Sequence, residues 1–526
     1  MKTLKRLLFE VHRWLGIVLA LFMFFWFVTG LVIIYTTPAA QNRSQRLAHA
    51  ETLAPEAGWL SLGEVWERSA GQRKAAAERM PKAADHEASA DRLPAGEAGI
   101  ADARLVRSGG EPLWLIEDDR DRRFALSAID GSLHDISVEQ ALKIAQNWAG
   151  GNSQTTHLET VEKTIKIRNQ DALSPFHHIA IDNDAGEELF ISARTGEVLH
   201  ASTRVDRAFY LAGNWLHLFK PLESMGLGHI RHDVQLWMGL SAAIAALTGL
   251  IIGWLRWRPG FGGKATYSQG RTQPYREFWI KWHFWSGLLG GTVALSWAVS
   301  GFIDTNPWQW FSPANPSRAE LARYSGGKVP AVMRDWQPVP FAGDGSNIVE
   351  LGWRNLGDEA VLLAYTRDGQ RHPQSVTNTV PQFSRASLVA GAQRLAGDTE
   401  VETQALLTEY DSYYYPRHHQ GLVEKPLPVL LITLADEAGT RLYLDPQDGR
   451  LLAKLDRSRR VFRWLYSGLH HWDFGWLYHR PIWDVWMLIW ISFGVVLGTS
   501  SLVVGWRRLR QTFRIKKKTG RKVRVA

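Results

Sequence analysis

Four histidines stand at matched positions in two halves of the sequence. His12 and His283 are each followed by Trp two residues later and by Gly four residues later. His217 and His470 each come ten residues after an arginine that occupies the same place in its half. Two neutral imidazoles on facing helices can hold one haem iron when apolar and aromatic side chains surround the porphyrin. The chemistry indicated is therefore one-electron transfer through two bis-histidine haems.

The pairing of these histidines is limited by distance. About 20 residues of helix, or roughly 30 Å, separate the two ends of a membrane helix, so one iron recruits histidines from one end only. The sequence therefore predicts that His12 pairs with His283 and that His217 pairs with His470. A single histidine at a helix end is more simply explained as an interfacial residue, and only the recurrence of two pairs favours ligands. The alternative ligands on the outer side are His471, His229, His232 and His479.

Four apolar stretches supply the helices that must position these residues. Each runs for 22 residues without Asp, Glu, Lys or Arg, and a bilayer core of about 30 Å needs about 20 such residues. They are Trp14–Tyr35, Val234–Leu255, Trp282–Ile303 and Val485–Trp506. The first stretch is too long for the apolar core of a cleaved signal peptide. Because the middles of all four lack ionisable side chains, the sequence argues against an ion-coupled transporter.

The basic residues predict the orientation in the membrane. Residues 1–13, 256–281 and 507–526 hold twenty Lys and Arg but only two acidic residues, Glu10 and Glu277. By the positive-inside rule, both termini and the short middle loop lie in the cytoplasm. We interpret the basic tail as an orientation signal and a contact for anionic lipids, with no role in binding nucleic acid.

The sequence predicts a multi-pass α-helical membrane protein with two pseudo-symmetric halves, each carrying an outer α+β domain. Each outer domain is predicted to contain two small α+β units. In each unit a helix is followed by alternating strand-like runs that end in a tight turn such as Asp130-Gly131 or Asp448-Gly449. Residues 67–103, rich in Ala and charged residues, are interpreted as a solvated insertion with little strand. The predicted segments are 1–35 (N-terminus and helix one), 36–232 (outer domain one), 233–256 (helix two), 257–281 (inner loop), 282–303 (helix three), 304–480 (outer domain two), 484–506 (helix four) and 507–526 (inner tail).

Several motifs together resemble the PepSY-associated transmembrane family. The resemblance covers nearly the whole chain apart from about residues 36–105. It implies an iron-regulated protein of a Gram-negative inner membrane with periplasmic PepSY modules, and some members are understood as haem-containing reductases of ferric siderophores. The family's helix-end histidines map onto His12, His217, His283 and His470, although many members have a second histidine beside His217. The motifs are His12-Arg-Trp-Leu-Gly, Thr29-Gly30, Tyr413-Tyr-Tyr-Pro-Arg-His-His419, Leu427-Pro428-Val429, Leu442-Tyr-Leu-Asp-Pro446, Arg463-Trp-Leu-Tyr-Ser-Gly-Leu-His470-His and Arg480-Pro-Ile-Trp-Asp484.

Two functions follow as hypotheses. The first is transfer of electrons through two haems b to a periplasmic ferric siderophore. Because the sequence has no dinucleotide fingerprint, a cytoplasmic reductase or quinol must supply the electrons. The second is a non-enzymatic PepSY protein that binds or regulates a periplasmic peptidase or serves as a scaffold. With no cysteine, the chain has no disulfide, no iron–sulfur cluster and no c-type haem attachment.

An aromatic tract in the second outer domain is a candidate substrate surface. Tyr413, Tyr414, Tyr415 and Arg417 could contact a ferric siderophore by stacking and cation attraction. The favoured interpretation is instead an aromatic sheet edge that packs against its surroundings. The adjacent pairs His177-His178 and His418-His419 are not expected to chelate a metal, because neighbouring strand residues point to opposite faces.

Overall fold

A computed structural model of the chain describes residues 2–522, apart from residues 37, 80–98, 165, 168, 169, 328, 342, 418 and 419. The chain forms two compact units. We call Met1–Thr37, Arg207–Ser312 and Arg460–Ala526 the membrane unit, and Pro38–Asp206 and Pro313–Arg459 the sheet unit.

The described residues contain fifteen α-helices and fourteen β-strands. The helices are α1 (Lys2–Ile33), α2 (Arg43–Ala48), α3 (Leu62–Arg68), α4 (Ala70–Arg79), α5 (Val138–Trp148), α6 (Arg204–Tyr210), α7 (Pro221–Ser224), α8 (Arg231–Arg256), α9 (Phe278–Asp304), α10 (Arg318–Ser325), α11 (Ala331–Asp335), α12 (Arg385–Ala396), α13 (Arg457–Phe462), α14 (Leu469–His471) and α15 (Ile482–Lys522). The strands are β1 (Ile100–Ser108), β2 (Glu111–Asp118), β3 (Arg123–Ser127), β4 (Thr155–Val161), β5 (Phe176–Ile181), β6 (Glu188–Ser192), β7 (Val198–Ser202), β8 (Ile348–Leu356), β9 (Glu359–Thr366), β10 (Arg371–Pro373), β11 (Val401–Leu407), β12 (Val429–Leu434), β13 (Arg441–Leu444) and β14 (Leu451–Leu455).

Four helices of the membrane unit are long and apolar enough to cross a bilayer, as the sequence predicts. They coincide with α1, α8, α9 and α15. Helix α1 packs mainly against α8 and α15, and α9 packs against the same two helices, so α1 and α9 face each other across the bundle. Small residues allow the close approach of α15 to α1, since a Cβ on Gly498 would lie 2.8 Å from Cα of Phe24.

The sheet unit contains three antiparallel sheets. Strands β4-β5-β6-β7 form one four-stranded sheet and β11-β12-β13-β14 form another. The third sheet has six strands in the order β10-β9-β8-β1-β2-β3, and therefore joins strands from both outer segments. The junction is the pairing of β1 with β8, in which Ala103 lies opposite Trp353 and Leu105 opposite Leu351.

The shared sheet changes the expected domain organisation. The sequence predicts two outer domains, whereas the two segments form one unit with a common core in which Trp114 and Trp353 are fully buried. Pairing β1 with β8 removes two sheet edges that would otherwise present unpaired N–H and C=O groups.

Residues 67–103 differ in part from the expected insertion. Helix α4 is formed and docks through Gln72, whose side-chain oxygen accepts a hydrogen bond from the backbone N–H of Leu133 at 2.6 Å. Strand β1 begins at Ile100 and pairs with β2, so the end of the segment is part of the sheet. The contact of Gln72 joins residues 61 apart in the sequence, which local composition does not reveal, whereas β1 and β2 form a local hairpin. Residues 80–98 lie outside the described residues.

Candidate functional site

His12 and His283 meet across the centre of the four-helix bundle. They lie on the opposing helices α1 and α9, and their ring centroids are 6.2 Å apart with an interplanar angle of 43°. An imidazole nitrogen binds a transition metal at about 2 Å, so two imidazoles on opposite sides of one metal ion have centroids about 6 Å apart. The spacing of the two rings therefore fits one haem iron.

The hydrogen bond of His12 leaves one ring nitrogen available to a metal. Its Nδ1 atom lies 3.0 Å from the carbonyl oxygen of Ala245. Because a carbonyl oxygen only accepts, Nδ1 must carry the proton, and the lone pair is then on Nε2. The nearby hydroxyl of Thr248 donates to the carbonyl oxygen of Ile244 at 2.7 Å.

His283 is held in the same tautomer by a different acceptor. Its Nδ1 atom lies 3.2 Å from the hydroxyl oxygen of Ser501. Ser501 donates its own proton to the carbonyl oxygen of Leu497 at 2.7 Å, so its oxygen accepts from Nδ1 of His283. Nε2 of His283 therefore also bears the lone pair.

A glycine makes room for the ring of His12. A Cβ atom on Gly249 would lie 2.7 Å from Cε1 of His12 and 3.2 Å from its Nδ1. Real Cβ contacts are not that short, so only glycine at this position of α8 allows the ring to occupy its place.

His217 is held against the other end of α1. It follows a π-helical turn at Leu211–Trp215, which continues from α6. Its Nδ1 atom lies 2.9 Å from the hydroxyl oxygen of Thr29, and Thr29 donates its proton to the carbonyl oxygen of Phe25 at 2.7 Å. The indole N–H of Trp26 donates to the backbone oxygen of His217 at 3.1 Å. His217 therefore has a protonated Nδ1 and a lone pair on Nε2.

His470 has the same set of contacts with α9. It also follows a π-helical turn, Arg463–Gly468, and its Nδ1 atom lies 3.0 Å from the hydroxyl oxygen of Ser300. Ser300 donates to the carbonyl oxygen of Trp297 at 3.1 Å, and the indole of Trp297 donates to the backbone oxygen of His470 at 3.0 Å. Each contact of His217 with α1 therefore has a counterpart here. Single-turn π-helical segments are frequent at functional sites.

The rings of His217 and His470 do not touch each other in the described part of the chain. His217 packs at 5.8 Å from the ring of Trp26, and His470 stacks at 5.4 Å on Tyr466. The two histidines, which lie outside the four long helices, are still close enough to interact. Burial, with the charge of His470 as a smaller cause, lowers the pKa of His217 to about 3. Burial lowers the pKa of His470 to about 4, so both imidazoles are neutral at physiological pH, as a metal ligand must be.

The alternative histidines have different surroundings. His232 is exposed, and its Nε2 atom lies 2.8 Å from the carbonyl oxygen of Thr305, which leaves that nitrogen without a lone pair for a metal. His229 and His479 are also exposed. His471 is half-buried, with its ring 5.1 Å from Tyr466 and 5.2 Å from His470. His470 is therefore the better placed of the adjacent pair, because Ser300 fixes its tautomer.

The segments that carry the outer histidines pack with the long helices. The sequence assigns residues 207–232 and 460–480 to the outer domains, whereas by their contacts they belong to the membrane unit. The reason is the hydrogen bonding to α1 and α9 through Trp26 and Trp297, which no local sequence pattern reveals.

The tyrosine tract of the sheet unit includes one fully buried residue, Tyr414. Tyr414 stacks at 5.2 Å on Tyr443 and donates its hydroxyl to the carbonyl oxygen of Pro426 at 2.9 Å. It is therefore a core residue and not a substrate contact, in line with the packing interpretation. Tyr413 and Tyr415 are half-buried and Arg417 is exposed. His418 and His419 lie outside the described residues.

Metal ligands other than the paired histidines do not gather in the described residues. No three His, Asp or Glu side chains come together there in an arrangement that could hold a metal ion. His177 and His178, on β5, instead hydrogen-bond separately to the backbone oxygen of Ile136 at 2.9 Å and to Glu188 at 3.0 Å.

The sequence reasoning missed the residues that fix the histidine tautomers. Thr29 and Ser300 each lie 17 residues after an inner histidine, His12 or His283, and this repeated spacing is a signal that could have indicated that the two hydroxyls have the same role. Trp26 and Trp297 each lie 14 residues after the same two histidines.

Beside the inner histidines, the hydroxyls of Thr248 on α8 and Ser500 on α15 each lie 3.5 Å from Nδ1, of His12 and His283 respectively. The shorter contact of His12, with the backbone oxygen of Ala245, has no mark in the sequence.

Comparison with known proteins gives one result. The family model described as the PepSY-associated TM region matches residues 9–346, which is more than half of the chain. The search of curated proteins gave no match.

Proposed function

The chain belongs to the family of the PepSY-associated TM region, and from this premise we propose that it is a haem b protein that carries electrons across the bacterial inner membrane. In this proposal His12 and His283 hold one haem, and His217 and His470 hold a second. The acceptor is a ferric siderophore in the periplasm, and the donor is a cytoplasmic reductase or quinol.

One observation carries the proposal. In all four histidines the Nδ1 atom is hydrogen-bonded to an oxygen that can accept its proton: a carbonyl for His12, and for the other three a hydroxyl that itself bonds to a helix carbonyl. This arrangement favours the lone pair on Nε2. Hydrogen bonds of this kind orient the imidazole and raise its basicity as a metal ligand. Interfacial histidines without a ligand have no need for a shared tautomer.

The positions of the two pairs suit transfer between the membrane faces. His12 lies on the same helix as Thr29, the partner of His217, and 17 residues of helix rise about 25 Å. A haem bound by two imidazoles supplies one-electron chemistry without an open coordination site. The charge pattern supports cytoplasmic termini and a periplasmic sheet unit. The matched contacts of the two halves support a gene duplication.

The test is an absorption spectrum of the protein purified from haem-sufficient cells. We expect the spectrum of a low-spin haem b and a stoichiometry of two haems per chain. Added ferric siderophore should reoxidise the reduced protein. Colourless protein with an intact fold would overturn the proposal and favour a scaffold or a peptidase regulator.

A further inference from the structure

A cavity of about 100 Å³ lies inside the sheet unit. Helix α2, helix α5, strands β1 and β8, and the turn before β7 surround it. One side is charged and the other is apolar. The apolar wall includes Ile144 and Trp148, both buried, and the ring of His49 stacks on Trp148 at 4.0 Å. Such a combination of apolar walls with a few fixed charges is typical of small-molecule sites.

Most charged groups of this cavity already have partners. Glu350 accepts from Arg43 at 2.6 Å and from Arg104 at 3.4 Å. Arg104 also donates to Glu197 at 3.1 Å. Glu51 accepts from the backbone N–H groups of Gly109 and Gly110 at 2.7 and 2.9 Å.

Arg46 is the exception. Its guanidinium donates to the backbone oxygen of Gln41 at 2.8 Å, and no carboxylate of the described residues lies within 4.0 Å of it. Burial, together with the nearby charges of Arg104 and Arg43, lowers the pKa of Arg46 in spite of Glu197 and Glu350. Arg46 is half-buried and, although Glu197 and Glu350 are near enough to act on its charge, neither forms an ion pair with it, so an anion bound directly beside the guanidinium would be stabilised.

We propose that this cavity binds a small organic carboxylate. Its carboxylate pairs with Arg46, as guanidinium groups do with planar anions, and its short apolar chain lies against Ile144 and Trp148. The size of the cavity restricts the ligand to a few carbon atoms, because an engineered cavity of about 150 Å³ holds one benzene. The inference is independent of haem binding, since every residue that lines the cavity belongs to the sheet unit.

The experiment titrates the full-length detergent-solubilised protein with sodium butyrate in a calorimeter. We expect saturable binding at one site, weaker binding of acetate, and none of the neutral analogue butanol. Arg46→Gln should weaken butyrate binding roughly tenfold or more, and Arg46→Lys should restore part of it. The matched control is Arg385→Gln, an exposed arginine bonded to Gln404 outside the cavity, which should bind like the wild type.

Three results would overturn the proposal. They are no saturable butyrate binding by the wild type, equal affinity for butyrate and chloride, and unchanged affinity in a folded Arg46→Gln variant. If Arg46→Gln does not fold, the wild-type titrations and the Arg46→Lys variant test the proposal instead. Lys keeps the positive charge but not the planar pair of donors, so Arg46→Lys should bind butyrate only in part. None of these results depends on the haem content of the protein.

Discussion

The Nδ1 atom of His217 lies 2.9 Å from the hydroxyl oxygen of Thr29, whose own proton is directed to the carbonyl oxygen of Phe25 at 2.7 Å. With the hydroxyl proton bonded to that carbonyl oxygen, the hydroxyl oxygen of Thr29 is the acceptor and the Nδ1–H group of His217 is the donor. A side chain on a membrane helix thus selects the tautomer of a histidine 188 residues away. Ser300 does the same for His470.

Thr29→Val should release this constraint while keeping the volume of the side chain. Without an acceptor, Nδ1 of His217 loses its partner, and the ring is no longer held with Nε2 towards a metal. We expect the affinity of the outer haem to fall roughly 10- to 100-fold, measured by haem retention during dilution or competition with apomyoglobin.

The control for that change is Thr36→Val, since the hydroxyl of Thr36 donates to the carbonyl oxygen of Val32 at 3.2 Å and bonds to no histidine among the described residues. It should retain both haems. Equal haem retention in Thr29→Val and the wild type would remove Thr29 from the site.

The pairing of His12 with His283 can be tested by a double substitution. Their rings are 6.2 Å apart, so removal of either imidazole should release the same haem. Each single His→Ala variant should retain one haem of two, and the double variant should retain one as well. Full haem content in His12→Ala, or loss of both haems in the double variant, would contradict the pairing.

The sequence predicted the spanning helices and the candidate histidines because both follow short-range rules. A run of 22 apolar residues can form a membrane helix without a particular partner. The four histidines could be recognised because they recur at matched positions in the two halves of the sequence. The tautomer of His12 was not predictable, because it depends on a backbone oxygen of α8 that is 233 residues away.

In the sheet unit, too, local features were predictable from the sequence and long-range contacts were not. Alternating patterns and turns such as Asp130-Gly131 predicted strands, but the partner of β1 is β8, almost 250 residues later. Register between distant strands is set by packing, and here it depends on Trp353 fitting opposite Ala103. The burial of Tyr414 agrees with the favoured packing interpretation, but its partner was not predictable, because Tyr443 lies on another element, β13.

Gly249→Ala should disturb the inner site alone. The added methyl group would lie 2.7 Å from Cε1 of His12, so the ring must move away from Ala245 and from its place opposite His283. We expect loss of the inner haem with retention of the outer one, measured by haem stoichiometry and by the two-step reductive titration becoming a single step. Gly71→Ala, on α4 of the sheet unit, where nothing lies within 4 Å of the added Cβ, is the control and should keep both haems.

The charge pattern makes a prediction about topology. With twenty basic and two acidic residues in the three short segments, reporter fusions after residues 150, 268, 400 and 526 should be outside, inside, outside and inside. The inverse order would reverse the direction of the proposed electron transfer, and any other order would overturn the proposed haem pairing.

Glu197, in the turn before β7, accepts a hydrogen bond from Arg104 of β1 at 3.1 Å. Burial alone would raise the pKa of Glu197, but Arg104, Arg46 and Arg123 outweigh it and lower the pKa to about 2. A carboxylate whose pKa is depressed by folding stabilises the native state above its unfolded pKa of 4.5, and this contribution is lost as the pH falls towards 2. Thermal unfolding of the wild type should therefore shift to lower temperature between pH 4.5 and pH 2. Glu197→Gln should flatten that dependence.

Glu197→Gln should also destabilise the sheet unit by about 1–3 kcal/mol at neutral pH, because Arg104 loses one of its two carboxylate partners and keeps the other, Glu350. Hydrogen exchange of β1 and β7 in the full-length protein measures the change where it occurs. Glu402→Gln, at an exposed position of β11, should leave both the exchange and the pH dependence unchanged. An unaltered acid transition in folded Glu197→Gln would show that other carboxylates govern the acid stability of the unit.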